Sequence, residues 1–289
     1  MPPSPPGPTF GARMPEDSSI DLVTAIVLGV VQGVTEFLPI SSDGHIALFA
    51  LLFGETDMPL SMVVLLHVGT LLATFLVFRA DVANLLASLG RGLRAPRAYL
   101  ETIEGRTVAA ILVATVPTAM IGLALRDFVE SWSHIPWVVG ACLLGSAVAV
   151  FSTRSSAERV TRTDTALPLS HAVLVGIAQG LAVLPGLTRS GSTIAAMMAL
   201  GLAGPAAFRL SFLMSLPAVL GAVVLELRHP AEVVETLGPS ALAGAVVSFA
   251  VGWASLLVLR RLVDRGRFWA FAVYLVPLGL ALIVWDLVT

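Results

Sequence analysis

Apolar residues run through this chain in long blocks separated by short polar clusters. Six blocks, at about 59–79, 107–126, 136–153, 208–227, 239–260 and 267–288, come close to the roughly 20 residues that carry a helix across a bilayer core. Two further apolar regions are broken. One covers about 20–53 and is interrupted at Pro39; the other covers about 170–203 and is interrupted at Pro185–Gly186. Non-helical backbone at membrane depth is tolerated only where it is buried in protein or lines water, so both regions read as re-entrant hairpins. The pattern predicts an all-α integral membrane protein: six transmembrane helices plus two re-entrant broken hairpins. Residues 1–19 are polar and rich in proline. They lack the basic start and apolar core of a signal peptide and are expected to form a disordered tail. Residues 20–289 are expected to form a single membrane domain.

The two halves share one plan, a broken hairpin followed by three spans. Repeat one covers about 20–153 and repeat two about 170–288. Gln32 and Gln179, Gly33 and Gly180, and Gly44 and Gly191 recur at one common offset, and Pro39 and Pro185 fall one residue short of it. Arginine placement sets the topology. Arg91, Arg94, Arg97 and Arg106 lie in one connection, Arg154, Arg159 and Arg162 in another, and Arg260, Arg261, Arg265 and Arg267 in a third. The alternate connections carry little, Arg126 near one and Arg228 near the other. By the positive-inside rule the Arg-rich connections are cytoplasmic. Both ends of the membrane domain then lie outside. The first hairpin enters from the outside and the second from the cytoplasm, which makes the pair an inverted-topology repeat. Such repeats often build a midplane site from discontinuous helices.

Composition supports the membrane reading. The chain is 56% hydrophobic and 12% charged, with a mean hydropathy of +0.90, whereas a soluble domain is about 25% charged. A net charge of −2 gives no reason to expect a nucleic-acid partner. All 17 basic residues are arginine, and the single cysteine, Cys142, sits in an apolar run. One cysteine makes no disulfide and no thiol metal site within the chain.

Ionisable groups inside a bilayer are costly and mark functional sites by default. Here they are Glu36, Asp43, His45, His67 and Arg189, accompanied by Gln32 and Gln179. Gln32 and Glu36 are four residues apart and share one helical face, able to present oxygens to a cation. A helix–helix polar contact is the plainer reading of Gln32. Ser41-Ser42-Asp43-Gly44-His45 follows Pro39, and a helix restarting there would offer backbone N–H groups to an anion. Ser41 also suits a plain N-cap. His45 could serve as base, acid or nucleophile, or as a hydrogen-bonded structural imidazole. In the second hairpin, Thr188-Arg189-Ser190-Gly191-Ser192-Thr193 follows Pro185-Gly186. A guanidinium stays charged and forks onto phosphate oxygens, so this segment reads as a phosphate cradle; an Arg189–Glu36 ion pair is the alternative. His67 lies mid-span, where a structural hydrogen bond and a place in the pocket are both open. A carboxylate, a Ser/His pair and an Arg-lined anion site suit hydrolysis of a lipid phosphate.

These residues resemble a known family, the undecaprenyl-diphosphate phosphatases of the bacitracin-resistance type. The family's Glu/Gln-x-x-x-Glu motif runs into Pro-x-Ser-Ser-x-Gly-His, and this chain has Gln32 to Glu36 and then Pro39 to His45. Its Pro-Gly-x-Ser-Arg-Ser-x-x-Thr motif is matched by Pro185 to Thr193. The resemblance covers about 20–288. It implies an enzyme that removes one phosphate from a polyprenyl diphosphate and so recycles the lipid carrier of cell-envelope glycans. It also implies a multi-pass plasma membrane location with the site open to the outer side, and a divalent cation, Mg²⁺ or Ca²⁺. By motif match, Glu36, Ser42, His45 and Arg189 would be catalytic. Ser41, Gly44, Thr188, Arg189, Ser190 and Thr193 would bind the diphosphate, and Gln32, Glu36 and Asp43 the metal. Which of Ser42 and His45 attacks is left open, as is a homo-oligomeric state.

Three positions depart from the family pattern. Gln32 stands where many members have Glu, Asp43 where Thr is common, and Thr188 where Ser is usual. Asp43 is expected to replace the charge missing at 32. The competing reading is a polyprenyl-phosphate flippase on the same inverted repeat, since fold does not fix function. A flippase needs an arginine cradle but not Ser42 and His45 beside Glu36.

Overall fold

The computed structural model describes residues 21–53, 60–156, 160, 162–226 and 238–288. The proline-rich tail and the connections around Arg159 and Arg228 lie outside the described residues. The first hairpin is formed by α1 (Leu22–Thr35) and α2 (Ser42–Phe53). Then come α3 (Leu60–Val77), α4 (Arg79–Arg94), α5 (Pro96–Tyr99), α6 (Ile103–Ala124), α7 (Arg126–Trp132) and α8 (Pro136–Ser156). The second hairpin is α9 (Leu169–Leu181) and α10 (Arg189–Ala199). It is followed by α11 (Gly204–Glu226), α12 (Pro239–Asp264), a 3₁₀ turn at Phe268–Phe271 and α13 (Ala272–Val288). Local chemistry sets several starts. Asp21 caps α1 by accepting from the backbone N–H groups of Val23 and Thr24 at 2.8 and 3.1 Å. Thr102 caps α6 and Thr188 caps α10 in the same way.

Among the described residues, five helices are long and apolar enough to cross a membrane: Ile103–Ala124, Pro136–Ser156, Gly204–Leu225, Pro239–Asp264 and Phe268–Val288. The sixth expected span, at 59–79, is α3, and it differs from the expectation. It pairs with α4 across a 77° bend, and only the two together are long and apolar enough to make a sixth span. The cause is visible in the sequence: after Phe78 the chain turns polar at Arg79 and Asp81. The segment expected only as an Arg-bearing connection is thus largely helical. Asp81 near its start pairs with Arg209 of α11. The helices α1 and α9 are short and apolar, as re-entrant arms should be.

The spans are apolar on their outer faces too. Leu112, Val116, Met120 and Leu123 of α6 are all more than half exposed and make a stripe suited to lipid. Burial of apolar surface cannot drive helix association inside lipid, so close packing must. A Cβ on Gly29 of α1 would fall 2.4 Å from the Gly244 carbonyl oxygen of α12, and one on Gly140 of α8 would fall 2.6 Å from that of Gly279 in α13. The packing is reciprocal between halves: α1 lies along α12, and α9 lies along α6. Both hairpin tips are thereby held in the interior. Phe37, next to Glu36, locks the first tip against Phe212 of α11, with ring centroids 5.7 Å apart.

Candidate active site

The site is assembled around Glu36, where α1 ends. Glu36 is buried, and so is Gln32 one turn earlier. Gln32 Nε2 donates to Glu36 Oε2 at 3.1 Å. Ser42, at the start of α2, donates its hydroxyl to the same oxygen at 2.9 Å. Arg189, the first residue of α10, donates to Glu36 Oε1 from the other hairpin. His67 of α3 brings Nε2 to 3.6 Å from Glu36 Oε2, while its Nδ1 bonds the Val63 carbonyl at 2.8 Å. Asp43 shares the electrostatic environment of His67, Glu36 and Arg189. One carboxylate therefore collects a guanidinium, a hydroxyl and an amide, with an imidazole close by, from three separate stretches of chain.

The other sequence-predicted hydroxyls take different places. Ser41 has a left-handed backbone, φ 71°, and its Oγ accepts from the N–H groups of Gly44 at 3.2 Å and Gly186 at 3.1 Å. It pins the two tips together. A Cβ on Gly44 would lie 3.2 Å from the Gly186 Cα, so the tips touch backbone to backbone. Thr188 Oγ1 accepts from the Gly191 N–H at 3.3 Å. Ser190 donates to the Phe37 carbonyl at 3.0 Å, and Thr193 shares a hydrogen bond of 2.6 Å with Ser211. Thr188, Ser190 and Thr193 are all buried. They build the frame that aims Arg189, whose side chain keeps 22% of its surface accessible.

Ser42 and His45 turn to different partners. The His45 Nδ1 lies 2.8 Å from the Ser41 carbonyl oxygen, and its Nε2 lies 2.7 Å from the Tyr274 hydroxyl of α13. Tyr274, Ser146 and Ser211 escaped the sequence reading. Ser146 of α8 donates to the Gly186 carbonyl and accepts from the Thr188 N–H, both at 2.9 Å. Each of these contacts spans many residues, and no motif spacing signals it. His67 takes both of its readings: Nδ1 makes a structural hydrogen bond to the Val63 carbonyl, and Nε2 faces Glu36. Gln179, the repeat counterpart of Gln32, donates to Thr118 at 3.2 Å in the α6–α9 interface, in a packing position.

Glu36, Ser42, Arg189 and their frame fall inside the stretch 25–281, which matches the family model described as bacitracin resistance protein BacA. The chain belongs to the BacA family. Relatives agree over nearly their full length. The undecaprenyl-diphosphatase of Desulfosudis oleivorans is 40% identical over 89% of this chain and 96% of that protein. The undecaprenyl-diphosphatase of Treponema denticola is 37% identical over 92% and 98%. That of Myxococcus xanthus is 38% identical over 92% and 89%. The family match at 25–281 takes in both hairpin tips and so covers the site.

Proposed function

We propose that this BacA-family protein hydrolyses undecaprenyl diphosphate to the monophosphate and inorganic phosphate. The observation that carries the proposal is the Glu36 cluster, in which a hydroxyl from one hairpin and a guanidinium from the other converge on one buried carboxylate. The names of its relatives supply the substrate.

Ser42 is placed as the nucleophile, because its hydroxyl already donates to Glu36 Oε2. Ser42 Oγ attacks the terminal phosphorus and its proton passes to Glu36. The new O–P bond forms as the bridging P–O bond breaks, and the polyprenyl monophosphate leaves. Arg189 meets the charge on the phosphoryl oxygens, the kind of electrostatic stabilisation that dominates such reactions. His45 then draws a proton from the water that releases phosphate from Ser42. A divalent cation bound with the diphosphate would neutralise part of its charge. Gln32 Oε1 is buried without a partner and, with Glu36 and Asp43, offers oxygen donors. Among the described residues no three His, Cys, Asp or Glu gather as a metal cluster. That donor set fits a hard cation that takes its remaining ligands from phosphates and water.

The Arg-rich connections support an orientation in which the first hairpin enters from the outside and the second from the cytoplasm, in a plasma membrane location. The site then opens outward, where the spent carrier is released. The flippase reading gives no role to the Ser42–Glu36 hydrogen bond. The test is product analysis in proteoliposomes: undecaprenyl monophosphate and free phosphate are expected from wild type and absent from Ser42→Ala. Movement of intact lipid without hydrolysis would favour the flippase.

A further inference from the structure

We propose that Tyr274, on the last helix, is a positioning residue that fixes the tautomer and aim of His45. This rests on the assignment of His45 to proton transfer above. A backbone carbonyl only accepts, so the 2.8 Å contact with Ser41 puts the hydrogen of His45 on Nδ1. In the neutral ring Nε2 then carries the lone pair. The Tyr274 hydroxyl, 2.7 Å away, donates to it. The two rings lie nearly parallel, 16° apart with centroids at 5.8 Å, so Tyr274 also limits rotation of the imidazole. Ser41 thus leaves Nε2 as the one nitrogen able to take a proton, and Tyr274 holds that lone pair until a water replaces its hydroxyl.

The helix that carries Tyr274 is itself well placed. α13 packs closely on α8 through Gly279 and Gly140. Ser146 of α8 holds the second hairpin at Gly186 and Thr188. The α8–α13 pair therefore steadies Arg189's hairpin from one side and the first hairpin's His45 from the other. Tyr274 is 45% exposed, so its hydroxyl has room to yield Nε2 to the attacking water. When that water attacks, its proton goes to Nε2 and its oxygen bonds phosphorus as the Ser42 Oγ–P bond breaks, and Ser42 Oγ recovers its proton from Glu36.

Tyr274→Phe keeps the ring and removes the hydroxyl. Steady-state phosphate release from undecaprenyl diphosphate with Mg²⁺ would be compared for wild type, Tyr274→Phe, His45→Ala and the double variant. The expected result is a kcat lowered about tenfold by Tyr274→Phe, the scale of one lost hydrogen bond, with KM changed less than about twofold because ground-state binding is untouched. The double variant should be no slower than His45→Ala. In ¹⁵N-histidine spectra of this five-histidine chain, the signal lost in His45→Ala identifies His45. Its Nε2 resonance should move in Tyr274→Phe while Nδ1 stays protonated. An unchanged kcat with an unmoved resonance would overturn the proposal, and so would effects of the two single variants that multiply. A dead His45→Ala beside an unimpaired Tyr274→Phe sinks Tyr274 alone. Full turnover by His45→Ala overturns the His45 assignment and this role of Tyr274 with it.

Discussion

Arg189 and Glu36 sit at the tips of different hairpins and form one ion pair, its carboxylate buried and its guanidinium partly accessible. Removing a single partner of a fully buried pair costs about 3–5 kcal/mol, because the other charge is left uncompensated; the partly accessible guanidinium sets the cost here below that range. Arg189→Ala is therefore expected to lower the thermal midpoint of the purified protein as well as its activity. Glu36→Gln combined with Arg189→Ala removes both charges and should recover much of the midpoint without recovering phosphate release. A double variant less stable than either single one would contradict a stabilising pair.

Adjacent serines should separate stability from chemistry. Ser41→Ala takes the acceptor from two buried N–H groups, those of Gly44 and Gly186, each worth about 1–3 kcal/mol when left unpaired. It is expected to lower the midpoint strongly. Ser42→Ala is expected to leave the midpoint nearly unchanged and to abolish turnover. Thermal unfolding and phosphate release measured on the same preparations check both halves.

Much of this architecture was legible in the chain because lipid demands long apolar runs and leaves charges nowhere to hide. The two interruptions at Pro39 and Pro185, the five long spans and the short list of buried ionisable residues all follow from that demand. The facing of individual hydroxyls was not legible. Ser41, Thr188, Ser190 and Thr193 read as diphosphate ligands by motif; the protein bonds that each also makes were not legible, and they follow because a hairpin tip inside a membrane must satisfy its own polar groups. Tyr274 was invisible because only the folding of α13 against α8 brings it to His45, 229 positions away. The helix α4 was read as a connection because Arg91 and Arg94 in it, with Arg97 and Arg106 beyond, mark a cytoplasmic segment by the positive-inside rule.

Gln32 and Asp43 provide a test of charge exchange. If Asp43 supplies the negative charge that Gln32 lacks, Asp43→Thr should lower activity and weaken apparent Mg²⁺ affinity. Gln32→Glu should restore both in the double variant. Titration of Mg²⁺ against phosphate release measures this. Effects of the two changes that simply multiply would sink the exchange.

The orientation proposed from the arginines can be read by labelling. In a Cys142→Ser background, cysteine at Arg97 or Arg265 should react with a membrane-impermeant maleimide only after the cells are opened. Cysteine at His134 should react in intact cells; all three positions are exposed. Labelling of Arg97 and His134 positions from the same side would contradict the assigned orientation.

The central claim is that both hairpins contribute to a single hydrolytic site. Its most direct test is phosphate release from undecaprenyl diphosphate by detergent-purified protein, with Mg²⁺, with Ca²⁺ and with chelator, beside Glu36→Gln and Arg189→Ala. Cation-dependent release by wild type is predicted, reduced at least ~100-fold in each variant, the scale of losing a principal charge-stabilising group. Release at the wild-type rate by either variant would contradict a site shared between the hairpins.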